Sequence, residues 1–200
     1  MNDLAQLVNT HLADTVERVR GSLVQVRNGR GAGAGTIWHP DGLIVTNAHV
    51  VQGHAQLAAV LPDGRALPAQ VIAFDAARDL AALAVEADGL PTIEVGDSRA
   101  LRPGQWVMAV GHPWGVLGAV TAGVVIGTGA GLADLPSSRE WIALDLHMRP
   151  GHSGGPLVDA AGRLVGINTL ITGPDVGYAI PAQTVIAFLK ETLGAPRVAV

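Results

Sequence analysis

The sequence predicts an all-β protein of two lobes, with one short helix near each end of the chain. Three observations predict this fold class: short apolar segments recur at near-regular spacing, Gly and Pro lie between them, and helical periodicity is confined to the two ends. The chain has 200 residues, of which 48% are hydrophobic and 15% are charged. This composition excludes an intrinsically disordered chain, and a domain of this length buries roughly 70% of its unfolded surface.

The N-terminal helix is predicted over residues 3–20, because apolar residues recur there at steps of three and four until Gly21. The following segments are β-branched or alternate in polarity, and turn signals such as Pro62-Asp63-Gly64 separate them. The predicted strands are 22–27, 43–51, 57–61, 66–74, 80–85, 106–110, 119–126, 141–146, 157–158 and 164–170. Residues 182–193 are again helical, and Gly194 ends that helix.

The segment from Pro91 to Pro103 is the least strand-like stretch in the middle of the chain and predicts a boundary between lobes. The predicted single domain therefore has a helix at 1–20, a first β lobe at 21–98, a second at 99–181 and a helix at 182–194. Two glycine-containing segments are expected to bend or turn. They are a flexible bend over Gly31–Gly35 and a turn over Trp38–Gly42.

Charge and cysteine content exclude several classes of function. The net charge is −4 and no Lys/Arg cluster is present, which argues against a nucleic-acid partner. With no cysteine, disulfides and thiolate metal sites are excluded, and the histidines show no metal-ligand spacing. No apolar run reaches the ~20 residues of a membrane span. The chain starts without the basic and apolar segments of a secretory signal, so a cytoplasmic location is the default expectation.

Three segments carry residue types that are used in nucleophilic catalysis. Ser153 follows Pro150-Gly151-His152 and precedes Gly154-Gly155, and such glycines allow a sharp turn whose N–H groups converge. His49 lies at the end of an apolar strand, and Asp79 opens another. Taken singly, each has a structural interpretation: an incidental serine in a Gly/Pro turn, a buried core histidine and a strand-capping aspartate.

The chain order of these residues is more specific. His49 and Asp79 fall in the first lobe and Ser153 in the second, which is the order of the chymotrypsin triad. The α/β-hydrolases have the order Ser, Asp/Glu, His instead. An all-β chain with this order therefore favours the chymotrypsin arrangement.

These segments resemble the motifs of the HtrA (Deg) family of trypsin-like serine proteases. The resemblance is carried by residues 42–51 around His49, residues 79–83 from Asp79, and residues 145–157 around Ser153, and it extends over residues 12–190. It implies a chymotrypsin-like double β-barrel, two six-stranded antiparallel barrels with the active site between them. It also implies peptide-bond hydrolysis through an acyl-enzyme, without a cofactor or metal.

The resemblance assigns a role to each residue. Ser153 is the nucleophile, His49 the general base and Asp79 the carboxylate that orients the imidazole. The backbone N–H groups of Gly151 and Ser153 form the oxyanion hole.

The resemblance also places the S1 pocket, which receives the substrate side chain before the scissile bond (P1). The residue six before the nucleophile lies at its base, and a later segment supplies a wall. The expected lining is His147, Met148, Leu170 and Ile171. Because this lining offers no carboxylate to pair with Lys or Arg, aliphatic P1 residues are expected.

The sequence departs from the family pattern at several points. His152 stands where the family usually has Asn, and His147 and Met148 where it has small or aliphatic residues. The family's long loop near residues 38–42 is reduced here, and the chain ends after the last helix, where members have a PDZ domain. Family trimers use N-terminal aromatic residues, and none precedes Trp38, so the oligomeric state stays open.

The expected partners are polypeptide substrates, with no nucleic acid and no membrane span. The expected function is cleavage of unfolded or misfolded proteins by a serine endopeptidase. The alternative is a protease-fold peptide-binding or chaperone-like module with little turnover, because a fold does not fix its function.

Overall fold

Two closed, six-stranded antiparallel barrels make up the protein, which confirms the predicted fold class. The computed structural model describes residues 2–29, 31–130, 139–172 and 176–194. In the first barrel the strands follow the order β1-β2-β3-β6-β5-β4, and in the second β10-β11-β12-β9-β8-β7. The first barrel comprises β1 (Leu23–Arg27), β2 (Ala32–His39), β3 (Leu43–Thr46), β4 (Leu57–Val60), β5 (Ala66–Asp75) and β6 (Leu80–Val85). The second comprises β7 (Trp106–Gly111), β8 (Ala119–Ala130), β9 (Glu140–Asp145), β10 (Pro156–Asp159), β11 (Leu164–Thr172) and β12 (Val176–Pro181).

Three α-helices accompany the barrels in the part of the chain that the structure describes. They are α1 (Asn2–Arg20), the single turn α2 (Ala48–Val51) and α3 (Ala182–Leu193). None of these described helices is both long enough and apolar enough to cross a membrane. The connection between β6 and β7 contains the predicted lobe boundary, whose position stays a prediction.

The expected bend at Gly31–Gly35 is not found, because β2 covers Ala32–His39, whereas the turn expected within Trp38–Gly42 is present over residues 40–42. The glycines are needed inside the barrel wall. A Cβ at Gly33 would lie 2.7 Å from Val50 Cγ1, and a Cβ at Gly35 would lie 2.9 Å from Ile44 Cγ2. Small residues that look like a bend in the sequence therefore provide room for neighbouring core side chains.

The predicted strand 43–51 also differs from the structure, because β3 ends at Thr46 and α2 follows. This helical turn buries Val50 and Val51 and leaves His49 exposed. The change of backbone conformation is therefore what brings the histidine to the surface while its apolar neighbours stay in the core. A further strand, β12, was not among the predicted strands.

Helix α3, which follows the last strand of the second barrel, packs against the first barrel near Asp79. Its Phe188 is fully buried, and the Arg78 guanidinium lies 5.5 Å from the centre of the Phe188 ring. Arg78 Nη2 also donates to Glu191 Oε2 at 2.7 Å. Since Arg78 directly precedes Asp79, these contacts fix the turn between β5 and β6 that carries the candidate carboxylate.

Backbone contacts join the barrels at the serine loop, the connection between β9 and β10 (residues 146–155) that contains Ser153. The N–H of Ala34 in β2 donates to the carbonyl of Ser153 at 2.8 Å. The hydroxyl of Thr46, at the end of β3, donates to the carbonyl of Ala34 at 2.7 Å. The first barrel thus holds the segment of the second barrel on which the candidate nucleophile lies.

Candidate active site

His49 and Asp79 form a close pair on the first barrel. The backbone N–H of His49 donates to Asp79 Oδ1 at 3.0 Å, and His49 Nδ1 lies 2.9 Å from Oδ2 and 3.1 Å from Oδ1. An ionised carboxylate can only accept hydrogen bonds, so this geometry assigns the proton of the neutral imidazole to Nδ1. The Nε2 atom is then an acceptor, as a general base requires.

Two neighbours hold Asp79 in this orientation. Asp79 has a left-handed backbone (φ 55°), a conformation that Asp tolerates, and the Asn47 amide donates to its carbonyl at 3.0 Å. The hydroxyl of Thr169, which lies on β11 of the other barrel, donates to Asp79 Oδ2 at 2.6 Å. The Asp79 carboxylate therefore accepts hydrogen bonds from both barrels, from His49 of the first and from Thr169 of the second.

The electrostatics of Asp79 favour the charged form. Burial by itself raises the pKa of this carboxyl group, but the hydrogen bonds from His49 and Thr169 outweigh burial and leave the pKa below its ordinary value. Asp79 is consequently ionised at neutral pH and can stabilise an imidazolium at His49.

Ser153 lies across from this pair with its hydroxyl engaged elsewhere. Its Oγ donates to the carbonyl of Thr169 at 3.0 Å, and no hydrogen bond joins it to His49 among the described residues. Proton transfer to His49 therefore requires Oγ to leave the Thr169 carbonyl. Catalytic hydrogen bonds are often unformed before substrate binds, so this geometry is compatible with a nucleophile.

The segment before Ser153 forms a type II turn. The N–H of His152 donates to the carbonyl of Arg149 at 3.0 Å, and the two central residues are Pro150 and Gly151, with Gly151 at φ 105°. A Cβ at Gly151 would lie 2.6 Å from the carbonyl oxygen of His112, so only glycine fits there. The Pro-Gly pair is the sequence signal that could have predicted this turn.

The proposed oxyanion donors make no hydrogen bond within the described part of the structure. The carbonyl of Gly151 accepts from the N–H of His112 at 2.8 Å and is held by that contact. The N–H groups of Gly151 and Ser153 donate to no described acceptor. Both remain available to a developing oxyanion.

A cavity of about 250 Å³ opens at Ser153. Met148, the buried residue predicted to line S1, does line it, together with His49 and Ser153. His147 is exposed and is not among the described residues that line it, and the side chains of Leu170 and Ile171 lie outside the described residues. The lining residues are His49, Met148, Arg149, Pro150, His152, Ser153 and Thr169.

Sequence reasoning missed Thr169, Asn47 and His112. Asn47 and the backbone N–H of His112 each act through one hydrogen bond to a distant residue and Thr169 through two, and nothing in the local sequence marks such contacts. The residues that it did find, His49, Asp79 and Ser153, are brought together at one site.

Two antiparallel barrels, with a His-Asp pair on the first and a glycine-flanked serine on the second, define the class of two-barrel, trypsin-like serine peptidases. Comparisons with known proteins agree with this class. Residues 33–167 match the family model of the trypsin-like peptidase domain. The chain belongs to this family and, within it, to the HtrA (Deg) type.

The similar proteins include serine protease HTRA1 of Xenopus laevis, 36% identical over 196 residues that are 90% of this chain and 43% of HTRA1. Protease Do-like 1 of Arabidopsis thaliana, a chloroplastic protein, is 39% identical over 78% of this chain and 38% of its own length. The solved structure of the HtrA-type protease AlgW with a decapeptide has a TM-score of 0.85 and 29% identity, over 94% of this chain and 69% of that chain. The chain thus spans about two fifths of the length of these curated relatives.

Proposed function

We propose that the protein is a serine endopeptidase that cleaves unfolded or misfolded polypeptides through an acyl-enzyme. One observation carries the proposal: His49, which is paired with Asp79, lines the same cavity as Ser153, and the N–H groups of Gly151 and Ser153 donate to no described acceptor. The names of the relatives, serine protease and HtrA-type protease, support the same activity.

The geometry suggests how each residue acts. His49 Nε2 takes the proton of Ser153 as Oγ attacks the carbonyl carbon of the peptide bond. The N–H groups of Gly151 and Ser153 stabilise the resulting oxyanion, and ionised Asp79 stabilises the imidazolium. His49 then donates its proton to the leaving amine as the C–N bond breaks. Water, deprotonated by His49, hydrolyses the acyl-enzyme in the same way.

The first test is Ser153→Ala, with hydrolysis of unfolded casein as the measurement. We expect a loss of about 10⁴-fold or more with an unchanged fold, because the hydroxyl is the attacking group. Ser98→Ala is the matched control, since Ser98 lies in the turn Ser98–Ala100 and not at the cavity, and it should retain activity. Equal turnover by the Ser153→Ala variant and the wild type would contradict the proposal.

We further propose that the S1 pocket prefers aliphatic P1 residues. Met148 lines the cavity with its buried side chain, and the described lining contains no carboxylate but does contain Arg149. A basic P1 side chain would meet a like charge there, whereas a medium aliphatic side chain would gain roughly 1.5–3 kcal/mol from burial.

The preference can be measured with two peptides that differ only at P1, one with Val and one with Arg. We expect kcat/KM to favour the Val peptide by at least about tenfold. Mass spectrometry of an unfolded protein after digestion should show cuts after Val, Leu, Ile, Ala or Met. Cuts mainly after Arg and Lys would show that the assigned pocket is wrong.

A further inference from the structure

His152, the residue before the proposed nucleophile, is bonded twice to one residue of the type II turn. Its backbone N–H donates to the Arg149 carbonyl at 3.0 Å, and its Nδ1 lies 3.1 Å from the backbone nitrogen of Arg149. Its side chain is only 3% exposed. The two contacts hold together Arg149 and His152, the first and last residues of the turn. Gly151, whose N–H is a proposed oxyanion donor, lies between these two residues in the chain.

The hydrogen-bond inventory assigns the tautomer of His152. Nδ1 also lies 3.2 Å from the Arg149 carbonyl oxygen, which accepts the backbone N–H of His152 and has a second lone pair, so this contact by itself does not decide the tautomer. The Arg149 N–H has no other acceptor among the described residues, so Nδ1 must be unprotonated to satisfy it. The proton of the neutral imidazole is then on Nε2, which is buried and has no partner in the described structure. Buried donors are rarely left unpaired. Here the unpaired Nε2–H of His152 is the consequence of Nδ1 acting as an acceptor.

The surroundings of His152 oppose a positive charge. Burial lowers its pKa, and the nearby cation Arg149 adds to this effect, although the backbone hydrogen bond to Arg149 acts against it. His112 packs against the turn from the connection between β7 and β8. Burial lowers the pKa of His112 as well, with further contributions from His152 and Arg20. His49 lies at the same cavity, and no described carboxylate contacts His152.

We propose that His152 is a positioning residue, whose neutral imidazole holds the Arg149–His152 turn and thereby the Gly151 N–H in the conformation that binds the oxyanion. A protonated Nδ1 would face the Arg149 N–H with a second donor, and the turn would lose this closing bond. Activity then needs two unprotonated imidazoles, His49 as the base and His152 as the support of the turn. The inference rests on the proposed peptidase function.

The test compares His152→Asn with His152→Leu. An Asn side chain places its amide oxygen near the position of Nδ1 and can accept from Arg149 without titrating. We expect His152→Asn to retain kcat/KM within about threefold at pH 8, and His152→Leu to lower kcat by roughly 10- to 100-fold with little change in KM. A purely packing role would predict the opposite order, because Leu replaces the buried volume better.

The pH profile separates positioning from packing. As the pH falls through the pKa of His152, which burial lowers below its ordinary value, kcat/KM of the wild type should fall more steeply than one protonation allows. The His152→Asn variant should follow a single protonation. His112→Asn is the matched control, because His112 Nδ1 accepts from Gly118 and not from the turn, and it should keep the steep limb. Superimposable acid limbs for the wild type and His152→Asn would overturn the inference.

Nitrogen NMR of the imidazoles gives a readout that does not depend on turnover. The resonances missing in His152→Asn identify His152, and at pH 8 they should show the proton on Nε2. A proton on Nδ1 would overturn the inference even if the protein is an active peptidase. If wild type and Ser153→Ala are equally inactive, the proposed function fails, and the tautomer still decides whether His152 closes the turn.

Discussion

At the scale of single residues, the site depends on groups that bond across the two barrels. Thr169 on β11 donates its hydroxyl to Asp79 and accepts the Ser153 hydroxyl at its carbonyl. One residue of the second barrel thus contacts both Asp79 and Ser153, the two ends of the candidate triad. A small shift of the barrels would change both contacts together.

Asp79→Asn tests the role of the carboxylate. The amide is isosteric and Asn also tolerates a left-handed backbone, so the fold should survive. An amide N–H cannot accept the proton of His49 Nδ1, and the imidazole would adopt the wrong tautomer. We expect kcat to fall by about 10⁴-fold, the loss that this error causes in triads of this kind.

Asp75→Asn is the control for that change, because Asp75 bonds to Arg78 outside the cavity. It should lower activity by no more than a few-fold. A loss of less than tenfold in the Asp79→Asn variant would mean that Asp79 acts only as a structural cap of β6.

The residues with distinctive chemistry could be predicted from the sequence. Ser153 is marked by its glycines, and His49 and Asp79 by their order along the chain. Thr169 and His112 could not be predicted, since a threonine in a strand or a histidine before a proline has many structural uses. Only the fold brings the Thr169 hydroxyl within 2.6 Å of a carboxylate 90 residues away.

At the scale of elements, β2 and the serine loop contact each other through backbone atoms. A Cβ at Gly154 would overlap with the carbonyl oxygen of Ala34 and with Thr46 Oγ1. Gly154 also has a left-handed backbone, with φ 85°. The position therefore excludes other residues for two separate reasons, space and conformation.

Gly154→Ala should destabilise the protein by roughly 3 kcal/mol or more, because overpacking adds to backbone strain. Gly64→Ala is the matched control: Gly64 has nearly the same φ, 88°, but no atom lies within 4 Å of its added Cβ. It should cost only about 1–2 kcal/mol. Urea unfolding measures both, and equal losses would show that the contact between β2 and the serine loop is not tight.

The strands predicted with correct type are those whose pattern is set by their own residues, such as β6 and β7. The start of β2 differs from the prediction because its small residues are required by side chains of neighbouring segments, which leave no room for a Cβ at Gly33 or Gly35. The sequence of β2 alone does not contain that information. The turn α2 differs from the predicted strand because Ala48 is apolar and Val50 and Val51 are apolar and β-branched, which is the pattern that would continue β3.

At the scale of the whole molecule, the barrels meet over a shared core, and the site lies where they join. The same cluster of buried residues includes Leu43 and Leu80 of the first barrel and Trp141 and Tyr178 of the second. The Trp141 and Tyr178 rings pack edge to face at 6.1 Å. The sequence could predict two lobes from spacing and from the order of the triad, but not this joint core, because apolar patterns do not identify partners.

The stability of the whole molecule should depend on pH through its buried imidazoles. Burial lowers the pKa of His112 and of His152, so below about pH 6.5 the unfolded chain binds protons that the folded protein does not. The free energy of unfolding should therefore be level above pH 7 and fall as the pH drops below that value, by up to about 1.4 kcal/mol per pH unit for each histidine. A second loss should follow at lower pH, as the pH falls through the lowered pKa of Asp79. Urea unfolding between pH 8 and pH 5 measures the first loss, and His112→Asn and His152→Asn should each reduce its slope. A free energy that stays constant from pH 7 to pH 5 would show that both imidazoles take up protons in the folded state as readily as in the unfolded chain.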